Sequence, residues 1–121
     1  MRNRLYKIAH FEDLNWMPLI KGVDLVPLNG DLNGEGSPFV LRLRWKDGAK
    51  IPPHWHPTDE NITVLPGTLL VSIGETFDEA KLQAMNVGNL VSVRNEMRHF
   101  AMSKGETIVQ VHGALTFTAN W

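Results

Sequence analysis

Residues 48–67 read GAKIPPHWHPTDENITVLPG and contain three candidate metal ligands. His54, His56 and Glu60 are evenly spaced, so in an extended chain their side chains leave the same face of the strand. Two imidazoles and a carboxylate are a usual ligand set for a divalent first-row metal. His99, further along the chain, is the candidate that would complete the set. The stretch therefore predicts a metal site.

Two glycines flank the candidate ligands at fixed distances. Five residues separate Gly48 from His54, three separate His56 from Glu60, and six separate Glu60 from Gly67. In this arrangement the segment resembles the first motif of the cupin superfamily at every position. The resemblance implies a small β-barrel around one metal, and the chain is similar to the small bacterial single-domain metal-binding cupins.

A second motif lies around His99. The spacing from Gly88 to His99 is that of the second cupin motif, but Arg94, Glu96 and Ser103 stand where the family has Pro, Gly and Asn. We therefore expect the turn before His99 to differ in backbone shape, while the metal-binding histidine is kept. The two motifs together imply one metal held by the four candidate ligands, which are His54, His56, Glu60 and His99.

The length and composition predict one folded domain over residues 1–121. The chain is 43% hydrophobic and 21% charged, which suffices for a buried core. We expect residues 1–30, which carry several helix-breaking Pro and Gly residues, to form strands and loops packed on a barrel of residues 39–117. His10 lies far from the motifs and is expected at the surface.

The charge and residue types exclude several classes of partner. A net charge of −1 and the lack of a Lys/Arg cluster argue against nucleic acid. The absence of cysteine leaves any metal to histidine and carboxylate. No apolar run has the length of a signal peptide core or a membrane span. We expect a cytoplasmic protein with neither nucleic acid nor membrane as a partner.

Short alternating segments separated by turn residues predict an all-β fold, a cupin-type double-stranded β-helix or jelly-roll barrel. The clearest strand runs from Phe39 to Lys46. Its apolar side chains should face the interior, with Arg42 and Arg44 outside. The segment Phe77 to Leu82 is predicted to form a short helical excursion. The inward set is Phe39, Leu41, Leu43 and Trp45.

Pro66-Gly67 is a type II turn signal between the alternating segments 60–65 and 68–73. We expect these segments to pair as a hairpin, with their apolar side chains on one inner face. Glu60 shares that face, and an ionised carboxylate in apolar surroundings is costly unless it is paired or binds metal. The predicted cavity residues on this hairpin are Ile62, Val64, Leu69, Val71 and Ile73.

Lys104-Gly105 predicts a second hairpin. With its tip there, His99 would lie opposite Gln110, and Met97 opposite His112. Gln110 would then point inward, behind the ligands or against a substrate, and His112 would lie near the cavity. The alternative is that His112 ends its strand, packed or solvated, because a shift of one residue turns every side chain to the other face.

Three imidazoles and one carboxylate leave one or two positions on an octahedral ion for water, substrate or dioxygen. The ion could be Fe, Mn, Ni, Co or Zn. We expect a metal-dependent enzyme, a non-haem dioxygenase or related cupin activity, acting on a small organic chelator. The alternative is a non-catalytic module that binds a metal or small ligand as a sensor. An edge strand that needs covering favours a homodimer.

Overall fold

The structure, a computed structural model, describes residues 6–30, 38–114 and 119–121. Residues 115–117 of the predicted barrel and residues 1–5 of the predicted N-terminal segment lie outside this part. Ten strands are found in the described residues. They are β1 (Met17–Ile20), β2 (Val23–Asn29), β3 (Phe39–Trp45), β4 (Lys50–His54), β5 (Glu60–Val64), β6 (Thr68–Ile73), β7 (Gln83–Met85), β8 (Leu90–Val93), β9 (His99–Lys104) and β10 (Thr107–Gly113).

The strands form two antiparallel sheets. The six-stranded sheet has the order β1-β2-β3-β10-β5-β8, and the four-stranded sheet has the order β4-β9-β6-β7. Buried apolar side chains from both sheets form one core cluster, because period-two alternation turns every second residue inward. The predicted all-β, jelly-roll class is confirmed. No helix in the described residues is long and apolar enough to cross a membrane.

Strand β3 follows the alternation that its sequence predicts. Arg42 and Arg44 leave the opposite face from the four apolar residues, which are all buried. Arg44 forms an ion pair with Asp24 at 3.1 Å on the neighbouring strand β2, and its guanidinium lies 4.4 Å from the centre of the Trp16 ring. The outward orientation of both arginines is confirmed.

The predicted hairpin at Pro66-Gly67 is wrong. Strand β5 pairs with β10 and β8, whereas β6 pairs with β9 and β7 in the other sheet. The turn therefore carries the chain from one sheet to the other. Gly67 has a φ of 92°, and a Cβ there would lie 2.4 Å from the carbonyl oxygen of Glu106. Only glycine permits this tight crossing.

The predicted hairpin at Lys104-Gly105 is wrong for the same reason. Strand β9 belongs to the four-stranded sheet and β10 to the six-stranded sheet, so the two do not pair. His99 lies opposite His54 on β4 and Ile73 on β6, and Gln110 lies opposite Arg42 and Thr63. A turn signal marks where the chain reverses, but it does not say whether the flanking strands bond to each other.

The predicted helical excursion is confirmed as a single 3-10 turn, Glu79–Lys81. Asp78 caps it, because its side chain accepts a hydrogen bond of 3.0 Å from the backbone N–H of Ala80. In the described part of the N-terminal region, β1 pairs with β2 and β2 with β3, so these two strands widen the six-stranded sheet.

The turn before His99 contains an unusual backbone conformation. Glu96 has a φ of 67°, in the left-handed region that favours glycine. Its N–H donates a hydrogen bond of 2.8 Å to the carbonyl of His56, which ties this turn to the first motif. Glu96 thus adopts a conformation that favours glycine, the residue that the family pattern has at this position.

We expect Glu96→Gly to stabilise the protein by about 1 kcal/mol. Glycine avoids the cost of the left-handed conformation, roughly 1–2 kcal/mol, but its greater entropy in the unfolded chain offsets about half of this gain. Urea denaturation of the metal-free protein measures this. Glu96→Ala is the control, because it removes the same exposed side chain but retains the Cβ. Equal stabilisation by both variants would contradict the prediction.

Candidate metal centre

The candidate ligands come from both sheets. His54 ends β4 and His99 begins β9, where the two residues are register partners. His56 follows two residues after β4, and Glu60 begins β5 in the other sheet. All four side chains are buried, with 3–6% of their surface exposed. The structure therefore brings the four predicted ligands together between the two sheets.

The three imidazoles are close enough to share one ion. One ring nitrogen from each of His54, His56 and His99 can be chosen so that all lie within 4.8 Å of one another. The ring centroids are 4.2 Å apart for His54 and His99, 4.9 Å for His54 and His56, and 5.5 Å for His56 and His99. This arrangement can hold a metal by three nitrogens.

Backbone carbonyls orient two of these rings. Nδ1 of His54 lies 2.8 Å from the carbonyl oxygen of Pro52, and Nδ1 of His99 lies 3.0 Å from that of Met97. A carbonyl only accepts, so each Nδ1 carries the proton and donates it. Nε2 is then the nitrogen left for a ligand on each ring. Metal-binding histidines are commonly oriented in this way.

Glu60 bridges two of the histidines. Its Oε1 lies 3.0 Å from Nε2 of His99, and its Oε2 lies 3.3 Å from Nε2 of His56. A buried carboxylate is unstable without such partners. Because Nδ1 of His99 already donates to Met97, a hydrogen bond from its Nε2 to Glu60 requires the doubly protonated imidazolium. Loss of the proton on Nε2 would free the nitrogen that a metal would use.

The pKa values reflect this charge arrangement. Burial, and then the charge of His99, lower the pKa of His54 to about 4. Burial alone would lower the pKa of His99, but the hydrogen bond and charge of Glu60 outweigh it and raise this pKa. Burial alone would raise the pKa of Glu60, but the hydrogen bond from His99 and the neighbouring imidazoles lower it. Burial thus favours the neutral form of His54, whereas Glu60 favours the charged form of His99.

The four residues open onto a cavity of about 50 Å³ between the sheets. Among the described residues, the remaining side chains of its wall are apolar, apart from the indole N–H groups of Trp45 and Trp121. A wall of this kind favours a small, mostly apolar ligand whose polar atoms are directed at the histidines.

The sequence profile of the family described as "ChrR Cupin-like domain" matches residues 6–116. The chain belongs to this cupin family. A search of curated proteins found no significant sequence match. The histidine spacing that resembled the first cupin motif is therefore part of a match that extends over most of the chain.

Solved structures share the cupin fold at low identity. The RmlC-like cupin from Shewanella frigidimarina NCIMB 400 is 14% identical with a TM-score of 0.75 over 92% of each chain. The polyketide cyclase RemF from Streptomyces resistomycificus is 15% identical with a TM-score of 0.79, over 96% of this chain and 84% of that one. Salicylate 1,2-dioxygenase from Pseudoaminobacter salicylatoxidans, in complex with gentisate, is 9% identical with a TM-score of 0.66, over 78% and 26%. These identities show the fold alone.

The cavity of this cupin contains only some of the apolar residues predicted for it. Ile62, Leu69 and Val71 line it. Val64 is buried in the core without reaching the cavity wall, and Ile73, at the end of β6, is 55% exposed. The prediction for Ile73 is wrong because period-two alternation continues to the end of a strand, whereas the cavity does not extend that far.

Gln110 and His112 do not face the cavity, so their predicted positions are wrong. Gln110 accepts a hydrogen bond of 3.0 Å from Nε of Arg42 on the outer face of β10. His112 is exposed and lies in a separate surface groove with Asp59 and Asn61. The alternative reading of His112 as a residue at the solvated end of its strand agrees with this position.

Sequence reasoning missed several residues of the cavity wall. Val109 and Val111 line it from β10, in place of Gln110 and His112. Val109 and Val111 alternate with polar residues, and this alternation could have identified them as inward-facing. The predicted hairpin at Lys104-Gly105 instead assigned the inner face to Gln110 and His112. Trp121 also lines the cavity, next to His54. No local pattern indicates this contact, because it joins residues far apart in the chain.

We expect the metal-free protein to lose about 2 kcal/mol of stability as the pH falls from 6.5 to 4.5. The pKa of His54 is about 4 in the folded state and near 6.5 when unfolded, so the unfolded chain binds a proton in this window that the folded protein does not. The contribution of His99, whose pKa is raised, is fully present below pH 6.5. That of Glu60, whose pKa is lowered, is fully present above its unfolded value of 4.5.

Urea denaturation with a chelator present, repeated across this pH range, measures the loss. His54→Gln is the matched control, because it keeps a buried polar side chain that does not titrate. The variant should lose most of the pH dependence between 6.5 and 4.5. An unchanged dependence in the variant would assign the acid sensitivity to other groups.

Proposed function

We propose that this cupin is a metal-dependent enzyme of the oxygenase type that acts on a small organic molecule chelating the metal through oxygen. The observation that carries the proposal is the group of three buried imidazoles at one end of an otherwise apolar cavity. Apolar walls exclude water from positions that an oxygen ligand would take. The site thus has a polar region suited to coordination beside a region suited to a hydrocarbon skeleton.

The donor set fits a divalent ion. His54, His56 and His99 would hold it through nitrogen, and Glu60 could either add an oxygen or keep its contacts with His56 and His99. Such mixed nitrogen and oxygen ligands suit Fe, Mn, Ni, Co or Zn, and metal supply decides among them. When bound, the ion supplies Lewis acidity and, if it is redox-active, the capacity to react with dioxygen.

Glu60 and His99 control the protonation of the centre. An ion held through Nε2 of His99 would take the place of a proton on this nitrogen, next to Glu60, so metal affinity should rise with pH. The displaced proton can pass to solvent or remain on the carboxylate. Among the described residues that line the cavity, Glu60 is the carboxylate positioned to accept or return a proton beside a bound substrate.

The apolar wall favours oxygenase chemistry over hydrolysis or isomerisation. Among the described residues that line the cavity, the ionisable side chains are the three histidines and Glu60. Reactions that need a separate acid and base have no second pair of groups here. Oxidation of a chelated substrate depends less on such groups, because the ion and dioxygen supply the reactivity. The fold shared with salicylate 1,2-dioxygenase is compatible with this proposal.

The small cavity supports a second candidate, a non-catalytic module that binds a metal or small ligand. A volume of about 50 Å³ is well below the roughly 300–1,000 Å³ of most ligand pockets. The same shortage of acid and base groups suits a site that binds without turnover. Activity, rather than geometry, distinguishes the two candidates.

We expect His54→Ala, His56→Ala and His99→Ala each to lower metal affinity by roughly a hundredfold or more. Loss of a residue that only hydrogen-bonds to a metal ligand already costs about 10–100-fold in affinity. Competition with a coloured chelator measures the affinity, and elemental analysis measures the metal content. His10→Ala and His112→Ala remove exposed histidines outside the centre and are the controls. Full metal content in all three of the first variants would contradict the ligand assignment.

We expect the Fe(II) form, prepared without oxygen, to change its absorption spectrum when 4-nitrocatechol or acetylacetone is added, because both chelate through oxygen and carry a small carbon skeleton. Admission of air should then cause oxygen consumption in an oxygen-electrode assay. The Zn(II) form is the control, because it coordinates similarly but is not redox-active. Chelator binding without turnover by the Fe, Mn, Ni and Co forms would favour the binding module.

A further inference from the structure

Residues 119–121, which we call the tail strap, cover the cavity beside His54. The ring of Trp121 lies 5.2 Å from the His54 ring, measured between centroids and tilted by 46°. Ala119 and Trp121 both line the cavity, yet Trp121 remains 56% exposed. One part of this indole therefore contacts the centre while another part faces solvent, as expected of a residue at the mouth.

The tail strap is attached directly to the segment that carries two of the histidines. Asn120 and Trp55 form an isolated β-bridge, in which each N–H donates to the carbonyl of the other at 2.9 Å. Trp55 stands between His54 and His56 in the sequence. Any opening of this bridge consequently occurs next to the metal ligands.

The tail strap is the part of the cavity wall that can open most easily. The other wall residue with large exposure is Leu19, at 41%, but its strand β1 is held by an antiparallel ladder to β2. In the described residues, the tail strap is held by one bridge of two backbone hydrogen bonds and by a bond of 3.4 Å from Nδ2 of Asn120 to the carbonyl of Trp55, and its indole is more than half exposed. Segments with few bonds and little burial open at the lowest free energy.

The closed cavity is too small for a ring-sized chelator. A volume of about 50 Å³ accommodates a few water molecules, whereas pockets for organic ligands usually measure roughly 300 Å³ or more. A larger ligand must move part of the wall before it reaches the histidines. The tail strap is the candidate for that movement.

We propose that the tail strap controls access to the metal centre and that Trp121 determines which molecules pass. Small ligands reach the ion with the Asn120–Trp55 bridge closed, whereas planar chelators such as catechols require the bridge to open. This inference rests on the proposed metal-dependent function. The apparent association rate of large ligands is then lowered, because they bind only to the small population of molecules in the open state.

The first test needs no metal. Amide hydrogen exchange at Trp55, followed by NMR in the metal-free protein, reports opening of the bridge. Asn120→Pro removes the N–H that donates to Trp55, and should speed exchange at Trp55 by roughly tenfold. Asn120→Ala keeps that N–H and loses only the longer bond of 3.4 Å from the Asn120 side chain to the Trp55 carbonyl, so it is the control and should speed exchange much less than Asn120→Pro. The amide of Val111 in the core should be unaffected by either substitution, which separates local opening from global unfolding.

The second test uses the Co(II)-loaded full chain and two probes of different size. Stopped-flow absorption measures the association of azide and of 4-nitrocatechol with wild type, Trp121→Ala and Trp121→Phe. We expect Trp121→Ala to bind 4-nitrocatechol roughly tenfold faster while azide changes by less than about twofold. Trp121→Phe keeps an aromatic ring at the mouth and should stay closer to wild type.

Several outcomes would overturn the inference. Equal acceleration of both probes, or of neither, in Trp121→Ala would show that the indole does not select by size. Unchanged exchange at Trp55 in Asn120→Pro would show that the bridge does not hold the strap. If cobalt fails to bind wild type, the proposed function and the access role fall together, whereas failure of the strap tests with cobalt bound would overturn the strap alone.

Discussion

The contact between His99 and Glu60 joins the two sheets at the centre of the site. His99 begins β9 in the four-stranded sheet, and Glu60 begins β5 in the six-stranded sheet, so their 3.0 Å contact crosses the interior. Neither charge is stable alone at this depth. The pair allows an otherwise apolar interior to contain a carboxylate and an imidazolium. It also makes protonation and metal binding alternatives at the same nitrogen.

The remaining geometry of the centre follows from how the backbone supports each ring. His54 and His99 are register partners, and each Nδ1 donates to the carbonyl two residues earlier. These bonds leave Nε2 of each ring as the nitrogen available to a ligand. The turn that contains Glu96 bonds to the carbonyl of His56, so the two motifs also support each other through the backbone. Preorganisation of this kind reduces the cost of binding.

The cavity and the tail strap define the route by which a ligand would reach the histidines. The walls come from both sheets, while the mouth next to His54 is covered by Trp121. The sheets are held by long ladders, and the strap by one bridge to Trp55. Rigid walls with one weakly attached segment confine movement to the mouth. The position of the histidines is thereby preserved while larger molecules are admitted.

Local patterns in the sequence were sufficient for the class of fold and for the centre. The alternation in Phe39–Trp45 identified an inward face, because it depends on the period of a single strand. The spacing of His54, His56 and Glu60 identified the candidate ligands, but the expectation that they share one face of one strand is wrong, because Glu60 lies in the other sheet. Strand pairing was decided only by the tertiary structure. The turns at Pro66-Gly67 and Lys104-Gly105 carry the chain between sheets, and their sequences are equally compatible with hairpins. The inner face of β10 and the contact of Trp121 with His54 therefore could not be predicted, since both depend on which distant strands and segments share the core.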